Sequence, residues 1–373
     1  MAQTPGDATA RPHSRGVNGN PQDLAVERAI GELRRGRAVA IEQGKHAVVV
    51  CSAETLTGST LEALAGLSRD TLTLALSARR ARAMQFAIDA EQAMAVRLPP
   101  GAALAHVAAL AGLGGDLPTN PGPAVPCDEA LCAAVHLCVQ ARLLPAVVAV
   151  QVSGLGDPSV LRVPMAEAAR FQAQSRDHLE RVAQARVPLR DEEDCELILF
   201  RDLRTDREHL AVRVGRVDPS EVVTVRVHSA CLTGDVLASL RCDCGEQLRS
   251  AVQRMSDRGG GVLLYMDQEG RGIGLANKLR AYALQDTGLD TFEADERLGF
   301  GDDERSFVEA SEILRQLGIS RITLLTNNPQ KLDELSREGI DVVSREALSG
   351  SRNRYNSRYL EAKRNRGGHL SDE

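Results

Sequence analysis

Cys231-Leu-Thr-Gly-Asp-Val-Leu-Ala-Ser-Leu-Arg-Cys242-Asp-Cys244 puts three thiols close together in a 373-residue chain, with no nearby fourth Cys or His to join them. A structural zinc site is normally closed by four protein ligands, whereas a catalytic one keeps three and leaves a position for water. The count favours a working metal, and a thiolate-rich set favours zinc. A structural zinc completed from a distance, or three ordinary buried thiols, are the plain alternatives. On the N-terminal side, Val222–Val227 alternates like a half-buried strand. On the other side, Gly245–Met255 has a helical pattern and Gly261–Tyr265 is an apolar run of buried-strand length. The alternation continues with helices at Leu275–Gln285 and Ser306–Leu317, a strand at Ile322–Leu325 and a helix at Gln330–Arg337. This order predicts α and β elements packed in layers.

The N-terminal half has the same grain. Residues 22–41 read as a helix that Gly36 breaks, running into an apolar strand segment at Ala38–Ile41. Further strands are expected at Ala47–Cys51, Leu72–Leu76 and Ala146–Val152, with a basic helix at Ser77–Met84 and an apolar one at Asp128–Leu143. A Pro- and Gly-rich break falls at 114–126. The polar stretch 164–187 reads as helical up to Pro188. The expected division is a disordered leader at 1–21, one domain over 22–190 and a second over 191–373, with the boundary near 188–196. Two domains suit the length. Arg352–His369 is basic, helical near 357–365, and reads most simply as a solvated terminal helix.

Composition narrows the function classes. Net charge is -6, which argues against a nucleic-acid binder. No apolar run approaches the roughly 20 residues needed to span a bilayer, so no membrane role is expected. The first residues lack the apolar core of a signal peptide. Eight Cys in a chain of this length do not make a disulfide scaffold and suit a reducing cytoplasm. Aromatic residues are only 3% and Trp is absent, so the cores must be built from Ala, Leu and Val.

Other motifs are ambiguous singly. Gly270-Arg271-Gly272-Ile273-Gly274 can hold an anion through backbone N–H groups, or simply turn the chain. Asn327-Asn328-Pro329 with Lys331 is either a cationic turn or an ordinary helix start. His228 beside the thiols is either a pocket residue or a prop behind the ligands. Asp303-Glu304-Arg305 could be a solvated helix start.

Order and spacing combine these signals. RVHSACLTGDVLASLRCDCGEQL, YMDQEGRGIGLANKLRAYALQD, GLDTFEADERLGF, DDERSF and LLTNNPQK follow one another in the chain. This set resembles the GTP cyclohydrolase II family over about residues 195–345, with weaker similarity through Tyr359-Leu360, Lys363 and Gly368-His369-Leu370. The resemblance implies zinc at Cys231, Cys242 and Cys244, and magnesium at the triphosphate of GTP. It implies GTP contacts at Arg226, Val227, His228, Ser229, Gln247, Glu269, Gly270, Arg271, Thr291, Thr326 and Lys331. Asp303 would be the proton acceptor, Arg305 the nucleophile toward the α-phosphate, and Tyr282 a polar group near the reacting ring carbon. A homodimer is also implied. The sequence departs from the familiar pattern at Ala230, Asp267 and Asp295, where the family usually has Glu, Arg and Asn. Asp267 and Asp295 are expected to add negative charge near a polyanion.

The N-terminal half resembles, more weakly, 3,4-dihydroxy-2-butanone 4-phosphate synthase, through Ala29–Val39, Leu74–Ser77 with Arg79-Arg80, and Glu129-Ala130 with Ala146–Val152. Where that family places its acidic metal-binding cluster, this chain has Glu42-Gln-Gly-Lys-His46. Where the family has Gly-His-Thr-Glu, it has Pro126-Cys-Asp-Glu129. The expectation is a folded domain without synthase chemistry.

Overall fold

The computed structural model describes residues 21–68, 70–86, 91–114, 121–154, 156–171, 176–366 and 368. The expected leader, apart from Pro21, lies outside the described residues, as do His369 and Leu370. The described residues form two mixed sheets, each with helices on both faces.

The first sheet contains β1 (Val39–Gln43), β2 (His46–Ser52), β3 (Thr73–Leu76), β4 (Met94–Arg97), β5 (Ala124–Pro126), β6 (Ala146–Val152) and β7 (Leu161–Pro164). Their order is β5-β4-β3-β6-β2-β1-β7. β2 shows why helices lie on both sides. Val48 and Val50 enter one core with helices Pro21–Arg34 and Glu129–Gln140, while Ala47, Val49 and Cys51 enter another with Gly58–Gly66 and Leu104–Ala111. Alternate side chains leave a strand on opposite faces, so a continuous apolar run must be covered twice.

The second sheet contains β8 (Leu179–Arg186), β9 (Cys195–Asp202), β10 (Glu208–Gly215), β11 (Val223–Ser229), β12 (Gly260–Met266), β13 (Arg321–Leu325) and β14 (Asp341–Glu346). Their order is β14-β13-β11-β12-β10-β9-β8. β8, β9, β10 and β12 pair antiparallel, and β12, β11, β13 and β14 pair parallel. In the parallel part the strands end together at Ser229, Met266 and Leu325. In such sheets ligands gather beyond the carboxyl ends of the strands. The thiol segment, the glycine-rich turn and the Asn-Asn-Pro turn all leave from those ends.

One expected element is corrected. The stretch 164–187 is not one helix: a short helix at Met165–Arg170 is followed by β8, which pairs with β9. The change of sheet therefore falls before Leu179, ahead of the expected 188–196. Seven of the eight β8 residues are exposed, so the strand lacks the apolar alternation that would have revealed it.

The two halves are fastened together. Leu144 from the first packs into a core with Ile273, Ala281, Ala294, Leu298 and Phe300 from the second. Ion pairs cross at Arg142–Asp267 (3.0 Å), Arg280–Glu54 (2.9 Å), Arg204–Glu27 (3.0 Å) and Arg79–Asp302 (2.8 Å).

Candidate active site

β11 sets one wall of the site. Val223, Val225 and Val227 point into the core, so Arg226 and His228 share the opposite face. Both are buried, and both line a cavity with Gln247, Thr326, Asn328 and Lys331. Arg226 donates to the Leu325 carbonyl (2.8 Å) and to Gln247 Oε1 (2.7 Å), and burial lowers its pKa to about 10. Lys331 Nζ donates to the Val227 carbonyl (2.7 Å). Val227 thus contributes its backbone, and its side chain stays in the core. Asn328 caps helix Pro329–Arg337, accepting from Gln330 N (3.0 Å), with Pro329 at the first turn. A helix start among buried cations is a setting for an anion.

A second cavity adjoins the first. It is lined by the three cysteines, Gly270, Arg271, Tyr282, Thr291 and Asp295, among others. Ser229, Cys244, Arg271, Arg305 and Tyr359 line both cavities, which therefore form one two-lobed cleft.

The thiols lie within 4.8 Å of one another, and Cys231 Sγ is 3.7 Å from Cys242 Sγ. Gly234, in the turn of π-helix Leu232–Val236, makes the cradle possible. A Cβ there would meet Cys242 Sγ at 2.7 Å and Cys231 Sγ at 3.0 Å. Cys244 opens helix Cys244–Asp257, where the positive end of the helix favours a thiolate. Hydrogen bonds from Cys242 and Cys244 hold Cys231 well below the usual thiol range despite burial, and Lys278 Nζ, 3.1 Å from its sulfur, adds to this. The same charge, bonded to Cys242, pushes that thiol up to about 11. Three converging sulfurs that line the cavity fit a thiophilic metal.

Residues that sequence reasoning missed stand behind the thiols. Lys278 is held charged against its burial, chiefly by Glu269 Oε1 at 2.7 Å. Glu269 was expected at the ligand. It lines the cavity, yet its oxygens also accept from Leu232 N (2.7 Å) and Gly270 N (2.9 Å). Asp235 accepts from Cys231 N (2.9 Å) and Tyr265 OH (3.0 Å) and faces His228 Nε2 at 3.1 Å. Burial keeps the His228 pKa below its ordinary value. The signal for Lys278 was available: it precedes Tyr282 by one helical turn on Leu275–Asp286. Tyr359 also lines the cleft, so the terminal helix Ser357–Asn365 is more than a solvated tail.

Asp303 sits behind Arg305, which donates to it from Nε (2.7 Å) and reaches Ser229 Oγ from Nη1 (3.2 Å). Burial alone would raise the Asp303 pKa, but Arg305 outweighs it and lowers it. Asp267 does not burden the cleft as expected, because Arg142 of the other half takes its charge. Asp295 does face the cavity. Burial raises its pKa to about 7 against the pull of Arg271, 3.9 Å away.

Three sulfurs at one end of a cleft and buried cations at the other suit an enzyme site that could hold a metal ion beside an anion. The family model for GTP cyclohydrolase II matches residues 180–347. A GTP cyclohydrolase-2 from Azospirillum brasilense is 41% identical over 93% of this chain and 94% of its own. Another, from Xylella fastidiosa strain Temecula1, is 40% identical over 95% and 89%. The GTP cyclohydrolase-2 of Teredinibacter turnerae is 53% identical over 46% of this chain and 86% of its own. A solved two-domain 3,4-dihydroxy-2-butanone 4-phosphate synthase from A. baumannii covers 87% of the chain and 99% of its own at 17% identity. Its TM-score of 0.31 carries no argument about fold. The chain belongs to the GTP cyclohydrolase II family, a family of hydrolases.

Proposed function

We propose that this enzyme hydrolyses GTP to 2,5-diamino-6-ribosylamino-4(3H)-pyrimidinone 5′-phosphate, formate and pyrophosphate, the first step of riboflavin biosynthesis. The supporting observation is the single cleft with thiols in one lobe and Arg226, Lys331 and the helix start at Asn328 in the other. The purine ring would enter the thiol lobe and the triphosphate, with magnesium, the cationic lobe. Zinc held by Cys231, Cys242 and Cys244 would supply water whose pKa is lowered to about 7. Tyr282, which lines the lobe of the thiols, would move a proton at the ring carbon. The Asp303 carboxylate, bonded to Arg305, would take a proton as that guanidinium meets the α-phosphate. Arg226, Arg271 and Lys331 would offset phosphate charge, and Gln247, Thr291, Thr326, His228 and Ser229 would complete the contacts.

The reading includes a first domain inert in synthase chemistry. Glu42 is paired with Arg162 at 3.1 Å, and Asp128 is used as a helix cap, accepting from Leu131 N at 2.8 Å. It also includes a homodimer in a reducing cytoplasm. None of the eight cysteines forms a disulfide, and among the described residues no helix is long and apolar enough to cross a membrane.

The test is incubation with GTP and magnesium, following formate, pyrophosphate, product mass and zinc content, with light scattering for the oligomer. The expected result is both small products and one zinc per chain; Cys244→Ser should lose zinc and formate together. A product that keeps the formyl group would move the assignment to a cyclohydrolase that stops at the formamidopyrimidine. A metal-free parent protein would remove zinc, and turnover of ribulose 5-phosphate would refute the inert first domain.

A further inference from the structure

The loop from Gly299 to Arg305 carries both groups assigned to the phosphate chemistry, yet its leading end is held by the other half of the chain. Ser77 Oγ donates to the Gly299 carbonyl at 2.6 Å, and Arg80 Nη1 donates to the Arg297 carbonyl at 2.6 Å. Arg80 also donates from Nε to Leu110 O and from Nη2 to Ala109 O, each at 2.9 Å. It is only 3% exposed, and no described carboxylate lies within ion-pair distance of it. A buried cation satisfied by carbonyls alone is a costly arrangement. Here its three nitrogens join two segments of the first domain to the end of helix Thr291–Leu298. Arg79 adds the ion pair to Asp302, the residue next to Asp303. Gly299 has a left-handed φ of 93°, and a Cβ there would meet Ser77 Oγ at 2.7 Å and Pro145 Cγ at 2.9 Å. The two surfaces are therefore fitted with no room for a side chain between them.

The trailing end of the loop is anchored within the second half. Glu304 N donates to the Arg271 carbonyl at 3.1 Å, and Gln268 Nε2 donates to the Ser306 carbonyl at 2.5 Å. Between these two anchorages lies Asp303, with its bonds to Arg305. The thiols are one step further removed: their neighbours Lys278, Glu269, Asp235 and Gly234 belong to the second half, and the first half reaches them through helix Leu275–Asp286, where Asn277 donates to the Arg142 carbonyl at 3.2 Å and Arg280 pairs with Glu54.

We propose that the first domain is a working part of the active site, with Arg80 and Ser77 as positioning residues that set the loop bearing Asp303 and Arg305. They touch neither substrate nor metal and act through the Gly299–Arg305 backbone. This rests on the reading of Asp303 and Arg305 as the groups at the α-phosphate. Misplacing reacting groups by about 1 Å can cost on the order of a hundredfold in rate. A small shift of this loop should therefore appear in turnover rather than in substrate binding.

The experiment compares the full-length parent with Arg80→Ala, Ser77→Ala and the double variant Ser77→Ala/Arg79→Ala. The readouts are zinc content, kcat and KM for pyrophosphate release, and amide hydrogen exchange. Arg80→Ala should lose at least about tenfold in kcat while KM stays within about twofold. Zinc should be unchanged. Exchange should rise over 299–305 but not over 231–244. Millimolar guanidinium ion should restore part of the rate, which it would not do for a generally destabilised protein. Ser77→Ala should move in the same direction by less. Parent-like kcat and exchange in Arg80→Ala, or loss of zinc along with the rate, would overturn the proposal. If Arg80→Ala does not fold, the double variant decides, and parent-like kcat and loop exchange there overturn it. A parent that releases no pyrophosphate would defeat the proposed reaction instead. The exchange comparison would still judge the positioning role.

Discussion

All three guanidinium nitrogens of Arg305 are committed inside the protein, two to Asp303 and one to Ser229 Oγ. A lysine at this position would keep the charge but could not make the paired contact with the carboxylate. Arg305→Lys should therefore retain zinc and slow pyrophosphate release by about tenfold to a hundredfold, which separate assays of metal and pyrophosphate will show. A release rate equal to the parent's would place Arg305 outside the phosphate chemistry. Asp295 gives a pH-dependent counterpart. Its folded pKa of about 7 lies above the ordinary 3.8, because burial disfavours its charge. The folded state therefore binds this proton more tightly than the unfolded state. The stability it retains at low pH is lost as pH rises toward 7. Asp295→Asn should thus stabilise little near pH 4 and progressively more up to about pH 7, where the gain levels off at no more than ~4 kcal/mol. Denaturant melts across that range provide the check, and a gain independent of pH would contradict the assignment.

The π-helical turn at Leu232–Val236 and the helix beginning at Cys244 act as a pair. The turn brings Cys231 back toward the helix start, and Gly234 leaves room for the sulfurs to converge. Gly234→Ala places a methyl group where two sulfurs already stand. Metal affinity should fall on the order of tenfold or more, measured by competition with a chromogenic chelator. Unchanged affinity would mean that the cradle is looser than its geometry. β8 shows what a sequence reading misses at this scale. Most of its residues are exposed because it borders the sheet, and Leu179, Val182 and Ala183 fall at helical spacing, so the period of a half-buried strand is absent. The central strands were legible for the opposite reason. β11 alternates Val with Arg226 and His228, and one face must enter the core.

At the scale of the whole molecule, Leu144 is a residue of the first half that completes a core of the second. Leu144→Ala should destabilise the protein by about 2–5 kcal/mol, read from urea unfolding. It should also expose the segment 273–300 to proteolysis before the first sheet is affected. A loss below about 1 kcal/mol would mean that the two halves do not share this core. The Arg142–Asp267 pair belongs to the same interface. An acidic residue that reads from sequence as a burden on an anion site is instead a contact between the two halves.

The sequence by itself determined the layered α/β class, three of the four strands of the parallel part of the second sheet and the three thiols, and the order of its motifs pointed to most of the residues brought to the cleft. The elements and the thiols follow from local rules of side-chain period, turn chemistry and ligand spacing, while the cleft residues follow from the resemblance of the ordered motifs to the GTP cyclohydrolase II family. The tertiary structure alone decided where the sheets divide, that Lys278 and Asp235 support the thiols, and that the first domain grips the loop of Asp303 and Arg305. Ser77 and Gly299 are 222 positions apart, and the acceptor in their bond is a backbone carbonyl, which every residue carries. A contact of that kind has no pattern in the sequence, because the identity of the accepting residue is nearly irrelevant to it. Only the packing of one domain against the other brings the two atoms within 2.6 Å.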